Sequence, residues 1–140
     1  MRRAVGTLFV ALLMASSAVA QGPAEPPPVA SIDPGTVDFG DQPAKHASKP
    51  RRITITNTGQ GRLYIRSVTL SGDNREDFVL AGDHCTNATL LAGKSCIVDV
   101  VMTPAVTGHR TATLTVNTGS GEQAASLTGN GINSADVPPR

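Results

Sequence analysis

The sequence has no tryptophan, one tyrosine (Tyr64) and three phenylalanines among its 140 residues. Flat aromatic faces are what stack on sugars and on unpaired bases, so recognition of either through a stacking platform is disfavoured. Charge is sparse and balanced, with twelve Lys and Arg against eleven Asp and Glu. A near-neutral chain has no field to gather nucleic acid or an anionic membrane, and neither is expected as a partner. The three histidines (His46, His84 and His109) fall in separate segments. No nucleophile elbow or paired nucleophile and base accompanies them, so no catalytic residue, cofactor site or metal site is assigned. Past the N-terminus no apolar run is long enough to span a bilayer.

What is present begins with MRRAVGTLFVALLMASSAVAQG: two arginines, an apolar run from Ala4, then small residues ending in Ala18-Val19-Ala20. This is the layout of a secretory signal peptide over 1–20, with cleavage expected between Ala20 and Gln21. The strongly apolar part is shorter than the ~20 residues of a spanning helix, which argues against a retained anchor. No cysteine marks the cleavage point for lipid attachment. Losing Arg2 and Arg3 takes the formal charge from +1 to −1. The expected product is exported, to a periplasm or beyond the cell.

Residues 21–30 (QGPAEPPPVA) are rich in proline, which fixes φ and donates no ladder hydrogen bond, so an extended, poorly ordered leader is expected there. From there on, short runs of Val, Ile, Leu and Thr alternate with Gly, Asn, Asp and Pro, the rhythm of sandwich strands. RRITITNTG sends Ile53 and Ile55 to one face and Thr54 and Thr56 to the other. SCIVDVVMTP sets Cys96, Val98, Val100 and Met102 on one side, HRTATLTVNTG sets Ala112, Leu114 and Val116 inward, and EQAASLTGNG does so with Ala125 and Leu127. In GRLYIRSVTLSG, Leu63 and Ile65 are out of phase with Val68 and Leu70, which predicts a bulge or a change of sheet near Arg66 and Ser67, or else two strands. With VASIDP, VDFG and DFVLAG as shorter strands, the expectation is all-β: an immunoglobulin-like sandwich of about seven to eight antiparallel strands over 31–131. Residues 132–140 are expected to form a disordered tail.

The order PGTVDFG, ITNTG, L-Y-I, DF, C…LLAGKSCIVDVVMTP, TGHRTATLTV and SLTGNG resembles the Hydin-type immunoglobulin-like domain, also called the ASH domain. That domain is grouped with the major-sperm-protein and pilus-chaperone-like sandwiches. The resemblance covers Ser31 to Gly131 and implies a scaffold or adhesion module without catalytic residues. The chain departs from the pattern in having one copy, where tandem copies are common, and in having Met102 where an aromatic is more usual.

HCTNATLLAGKSC, His84 to Cys96, invites several readings. A phosphate-binding loop needs a glycine five positions before Gly93, where Ala88 stands, and a helix after it, where a strand pattern follows. Asn87-Ala88-Thr89 meets the glycosylation rule, which matters only in a host with that machinery. His84, Cys85 and Cys96 match no zinc spacing and lack a fourth ligand. Two cysteines flanking a turn-rich loop in an exported chain are instead read as a disulfide, Cys85 to Cys96, with free thiols as the alternative.

Asp73, Glu76 and Asp77 offer oxygens, but without the glycine and spacing of a calcium loop they are read as a solvated turn. The one basic cluster supplies Lys45, Lys49, Arg51 and Arg52 as possible contacts to an anionic surface, against the plainer reading of a solvated strand edge. Together these readings point to a non-enzymatic protein-binding or scaffold module of the cell envelope or extracellular space, with another protein as partner and no cofactor. A structural or chaperone-like part of a surface assembly is the alternative.

Overall fold

A computed structural model describes residues 26–136. The expected signal peptide, the Ala20–Gln21 cleavage point, the leader up to residue 25 and the chain after residue 136 lie outside the described residues. Nine strands follow in order: β1 (Ala30–Asp33), β2 (Thr36–Pro43), β3 (Arg51–Asn57), β4 (Leu63–Ser71), β5 (Phe78–Asp83), β6 (Thr89–Leu90), β7 (Ser95–Met102), β8 (Gly108–Thr118) and β9 (Gly121–Ile132). Single 3₁₀ turns occupy Arg75–Asp77 and Ser134–Asp136.

The strands form two sheets, one ordered β1-β3-β7-β5 and the other β2-β9-β8-β4-β6. Inward residues of both sheets make the core. Ile53 and Ile55 of β3 and Val98, Val100 and Met102 of β7 face Leu63 and Ile65 of β4, Leu114 and Val116 of β8 and Leu127 of β9, all fully buried. The alternation read from the sequence is therefore the pleat itself, with every second side chain in the sandwich interior. Phe39 and Phe78 close one end edge to face, their ring centroids 5.6 Å apart.

The phase change in β4 is a bulge. Ile65 pairs with Thr118 and Ser67 with Asn117, leaving Arg66 as the extra residue in one continuous strand. That single insertion turns Leu63, Ile65 and Val68 toward the same core despite their odd spacing.

Two features depart from the expected all-antiparallel set. β6 is an additional two-residue strand against Leu63 and Tyr64. More consequential is β2, which runs parallel to β9, Val37 opposite Leu127 and Pro43 opposite Ile132. The chain leaves β1 through Pro34 and Gly35 and crosses to the other sheet without reversing direction, so its first segment lies beside its last. A parallel pair needs a long connection, and here that connection is the rest of the domain.

The end of the expected leader is part of the folded body. The Val29 N–H donates to Asn57 Oδ1 (3.2 Å) and the Thr58 N–H to the Val29 carbonyl (2.8 Å). The backbone of Pro26 to Val29 passes so close to Gly59 and Gly61 that a Cβ on either glycine would collide with it. At the other terminus Ile132 still belongs to β9, one residue past the expected boundary.

Candidate functional site

The loop from His84 to Cys96 resolves into structure rather than chemistry. The β5–β7 ladder pairs Asp83 with Val98, and the next backbone bond runs from His84 N–H to the Ile97 carbonyl at 3.0 Å. Cys85 and Cys96 come next in that register, with Cα atoms 5.3 Å apart and their sulfurs bonded. Both are buried, so the bond closes the end of a hairpin against the core. Neither sulfur is then a thiolate, which removes the metal reading of His84, Cys85 and Cys96. Gly93, at φ +78°, turns the chain into β7, and Ser95 Oγ lies 2.8 Å from Thr56 Oγ1 on the neighbouring strand. The segment after GKS is thus a central strand, with no helix N-terminus to receive a phosphate.

Asp83 shapes the start of this loop. Its carboxylate accepts the N–H groups of Cys85 and Thr86, both at 2.9 Å, and the Thr86 hydroxyl. Partial burial alone raises the Asp83 pKa, but the Thr86 hydroxyl, the Thr86 and Cys85 amides and the charge of His84 outweigh it and hold the group below its usual 3.8. Asn87 is exposed in the left-handed region, φ +63°, and its Oδ1 accepts the Tyr64 hydroxyl at 3.3 Å.

In the next turn Asp73 and Glu76 are exposed and Asp77 is buried, so the solvated-turn reading holds for two of the three acids. Asn74 Oδ1 accepts the Thr111 N–H at 3.0 Å, fastening the 3₁₀ turn to β8. Asp77 points inward to Arg110, Oδ2 to Nη1 3.6 Å, with both side chains mostly buried. The calcium reading of Asp73, Glu76 and Asp77 therefore loses Asp77 to an internal ion pair. The histidines stay apart: His46 before β3, His84 after β5, His109 in β8.

The basic cluster is split by the pleat. Arg52 lies on the outer face, its Nε 3.1 Å from Asp99 Oδ1. Arg51 has the same parity as Ile53 and turns to the open end of the sandwich. There its Nη1 donates to the Asp38 carbonyl at 3.0 Å and its guanidinium sits 6.0 Å over the Phe39 ring. Lys45 and Lys49 belong to the segment joining β2 to β3. Beside them lie two adjoining surface grooves: one of about 570 Å³, reaching from Asp41 and Pro43 past His46 to Ser134, and one of about 310 Å³ bounded by Phe39, Ser48 and Arg51. Gln42 and Lys49 line both. Of the four expected basic residues, Lys49 and Arg51 thus line the grooves, and Lys45 and Arg52 do not.

Asn57 is the residue that reading the sequence missed. Fully buried at the end of β3, it donates from Nδ2 to the carbonyls of Gly61 (2.6 Å) and Leu90 (2.9 Å). Its Oδ1 accepts the N–H groups of Val29 (3.2 Å) and Gly59 (3.0 Å). A polar residue closing an Ile-Thr-Ile-Thr run reads as a turn signal, and only its in-phase position after Ile53 and Ile55 points inward.

The HYDIN/CFA65/VesB-like, Ig-like domain family matches residues 28–131. Among solved structures the chain is similar to the VesB protease of Vibrio cholerae, at 22% identity and a TM-score of 0.55, covering 72% of this chain and 31% of that one. It is similar to the ASH/PapD-like domain 7 of human CEP192, at 14% identity and a TM-score of 0.53, covering 75% and 86%. It is also similar to the periplasmic chaperone SfaE, at 12% identity and a TM-score of 0.54, covering 79% and 61%. Likenesses at these identities show a common fold. Among curated proteins none matches the sequence. With the family match running from before β1 to the penultimate residue of β9, the chain belongs to the HYDIN/CFA65/VesB-like, Ig-like domain family.

Proposed function

We propose that this chain is an exported, non-enzymatic module that holds another protein, in a periplasm or outside the cell. The observation that carries this reading is an open seam on the flank of the sandwich. β1 pairs with β3 only from Thr54 to Asn57, so among the described residues Arg51, Arg52 and Ile53 have no strand partner on that side. The groove bounded by Phe39, Ser48 and Arg51 meets this unpaired stretch at Arg51. An unpaired strand edge next to a groove is where an extended segment of another chain adds to a sheet. Membership of the Ig-like family and the likeness to a periplasmic chaperone support a binding role. The disulfide supports export, since such bonds persist in oxidising compartments.

A second reading, a structural part that lends a strand to a surface assembly, is favoured by β5. It is the other edge of the same sheet and leaves Val79 54% exposed.

Cross-linking in intact native cells, followed by affinity recovery and mass spectrometry, separates the two. One dominant partner at fixed stoichiometry is the expected result for the binding module, and recovery only in large multi-subunit complexes would replace it with the structural reading.

A further inference from the structure

We propose that the occupant of this seam is an extended segment of a partner protein bearing acidic side chains, an inference that rests on the protein-binding reading above. The two adjoining grooves share Gln42 and Lys49 and so form one trough, with Lys49 along it and Arg51 at one end. Both cations are exposed. Asp41 lines the far part of the larger groove, its Oδ1 accepting from Asn130 at 3.1 Å, so the acidic side chains are placed at the Lys49 and Arg51 end, where Asp38 accepts from the Gly40 N–H at 2.8 Å and does not line the groove.

The frame presenting the cations is fastened before any ligand arrives. The N–H groups of Ala44, Lys45 and Ser48 donate to the carbonyls of Ile132 (2.8 Å), Pro104 (2.7 Å) and Met102 (2.8 Å), and the Met102 N–H donates to Ser48 Oγ at 2.9 Å. Arg51 is held by the Asp38 carbonyl and the Phe39 ring. Charges on a pinned frame cost less ordering entropy on binding than charges on a free loop.

A polypeptide is favoured over a lipid surface because the Arg51 end of the trough meets the start of the unpaired Arg51 to Ile53 edge, which another polypeptide backbone can match with hydrogen bonds.

The test uses the ¹⁵N-labelled chain from Gln21 onward, titrated with a synthetic peptide of alternating Glu and Val, with its Gln-for-Glu counterpart, and with phosphatidylglycerol vesicles. The Glu peptide is expected to move the amide resonances of Phe39, Gln42 and Ser48 to Ile53, and to bind more weakly as salt is raised. Lys49→Glu combined with Arg51→Gln is expected to weaken it about tenfold or more. Arg66→Glu, the same kind of charge change on the exposed bulge of β4 in the other sheet, is expected to leave it intact.

No binding of the Glu peptide, equal binding of the Gln peptide, resonance changes elsewhere, equal loss in Arg66→Glu, or binding to vesicles alone would each overturn the proposal. Lys49→Glu by itself leaves the Arg51 contacts in place and guards against a folding artefact. If a partner still cross-links in cells to the Lys49→Glu, Arg51→Gln variant, the seam is not its site and the binding reading stands. If no partner cross-links to the unaltered chain, the broader reading falls as well.

Discussion

The Asn57 carboxamide donates to the Leu90 carbonyl at 2.9 Å, tying the end of β3 in one sheet to β6 in the other. The same side chain accepts from Val29, so one buried polar group joins both sheets and the incoming chain. Fully satisfied, such a group fixes a single arrangement. Half satisfied, it is costly, because each stranded partner has given up its water.

Asn57→Ala is therefore expected to destabilise the fold by roughly 3 kcal/mol, and Asn57→Leu by at least as much, since either leaves two carbonyls and two N–H groups without their partner. Urea unfolding followed by circular dichroism measures this. A loss below about 1 kcal/mol would show that water replaces the carboxamide. Removing Pro26 to Val29 from the chain is expected to produce a smaller loss at the same locus, because Oδ1 keeps the Gly59 N–H and only the Thr58 N–H loses its acceptor.

Reduction of Cys85–Cys96 is expected to add the mass of two hydrogens and to lower stability by about 3 kcal/mol, through the freedom regained by the unfolded loop. Hydrogen exchange should place the gain in mobility between His84 and Ser95. The rest of the β3–β7 ladder is anchored by buried Ile53, Ile55, Val98 and Val100 and is expected to stay protected.

The depressed Asp83 pKa makes an acid-side prediction. Its folded value lies below the unfolded one, so the carboxylate contributes stability that is fully present above the unfolded pKa and is lost as pH falls through the folded one. The difference in stability between the unaltered chain and Asp83→Asn is expected to be constant from neutral pH down to about pH 5 and to shrink below about pH 4. Thermal unfolding at stepped pH values tests it, and a difference that does not change with pH would remove the charge from the account of this turn.

Two glycines of β9 should behave differently. A Cβ at Gly131 would run into the Val106 carbonyl and Pro104, which are backbone and a rigid ring, whereas at Gly129 it would meet Sδ and Cε of Met102. Both alanine substitutions are expected to cost about 1–3 kcal/mol, with Gly131→Ala the larger. Met102→Ala should relieve Gly129→Ala and leave Gly131→Ala unrelieved. A double-mutant cycle measures that coupling.

Much of this was legible because a sandwich buries one face of each strand. The alternation in β3, β7, β8 and β9 named the core residues, and the slip of phase in β4 pointed to a bulge, a change of sheet or two strands near Arg66 and Ser67, of which the bulge at Arg66 is the one found. The two cysteines, taken with the expectation of export, pointed to the bond that the β5–β7 register closes. Asn57 was not legible, because polar residues at strand ends usually mark turns and its four partners are spread from Val29 to Leu90. Nor was the two-residue β6, too short to show a period.

The basic cluster marks the boundary between the two kinds of information. The order of residues by itself determined that Lys45, Lys49, Arg51 and Arg52 are neighbours, that β3 alternates, and that the chain folds as a sandwich, because composition and periodicity are local properties. Only the tertiary structure decided that Arg51 turns to Phe39 while Arg52 pairs with Asp99, that β1 stops short of them, and that β2 lies parallel to β9. Those outcomes depend on which strands meet across large separations in sequence, and that choice is made by burying both sheets at once, a constraint no single segment carries.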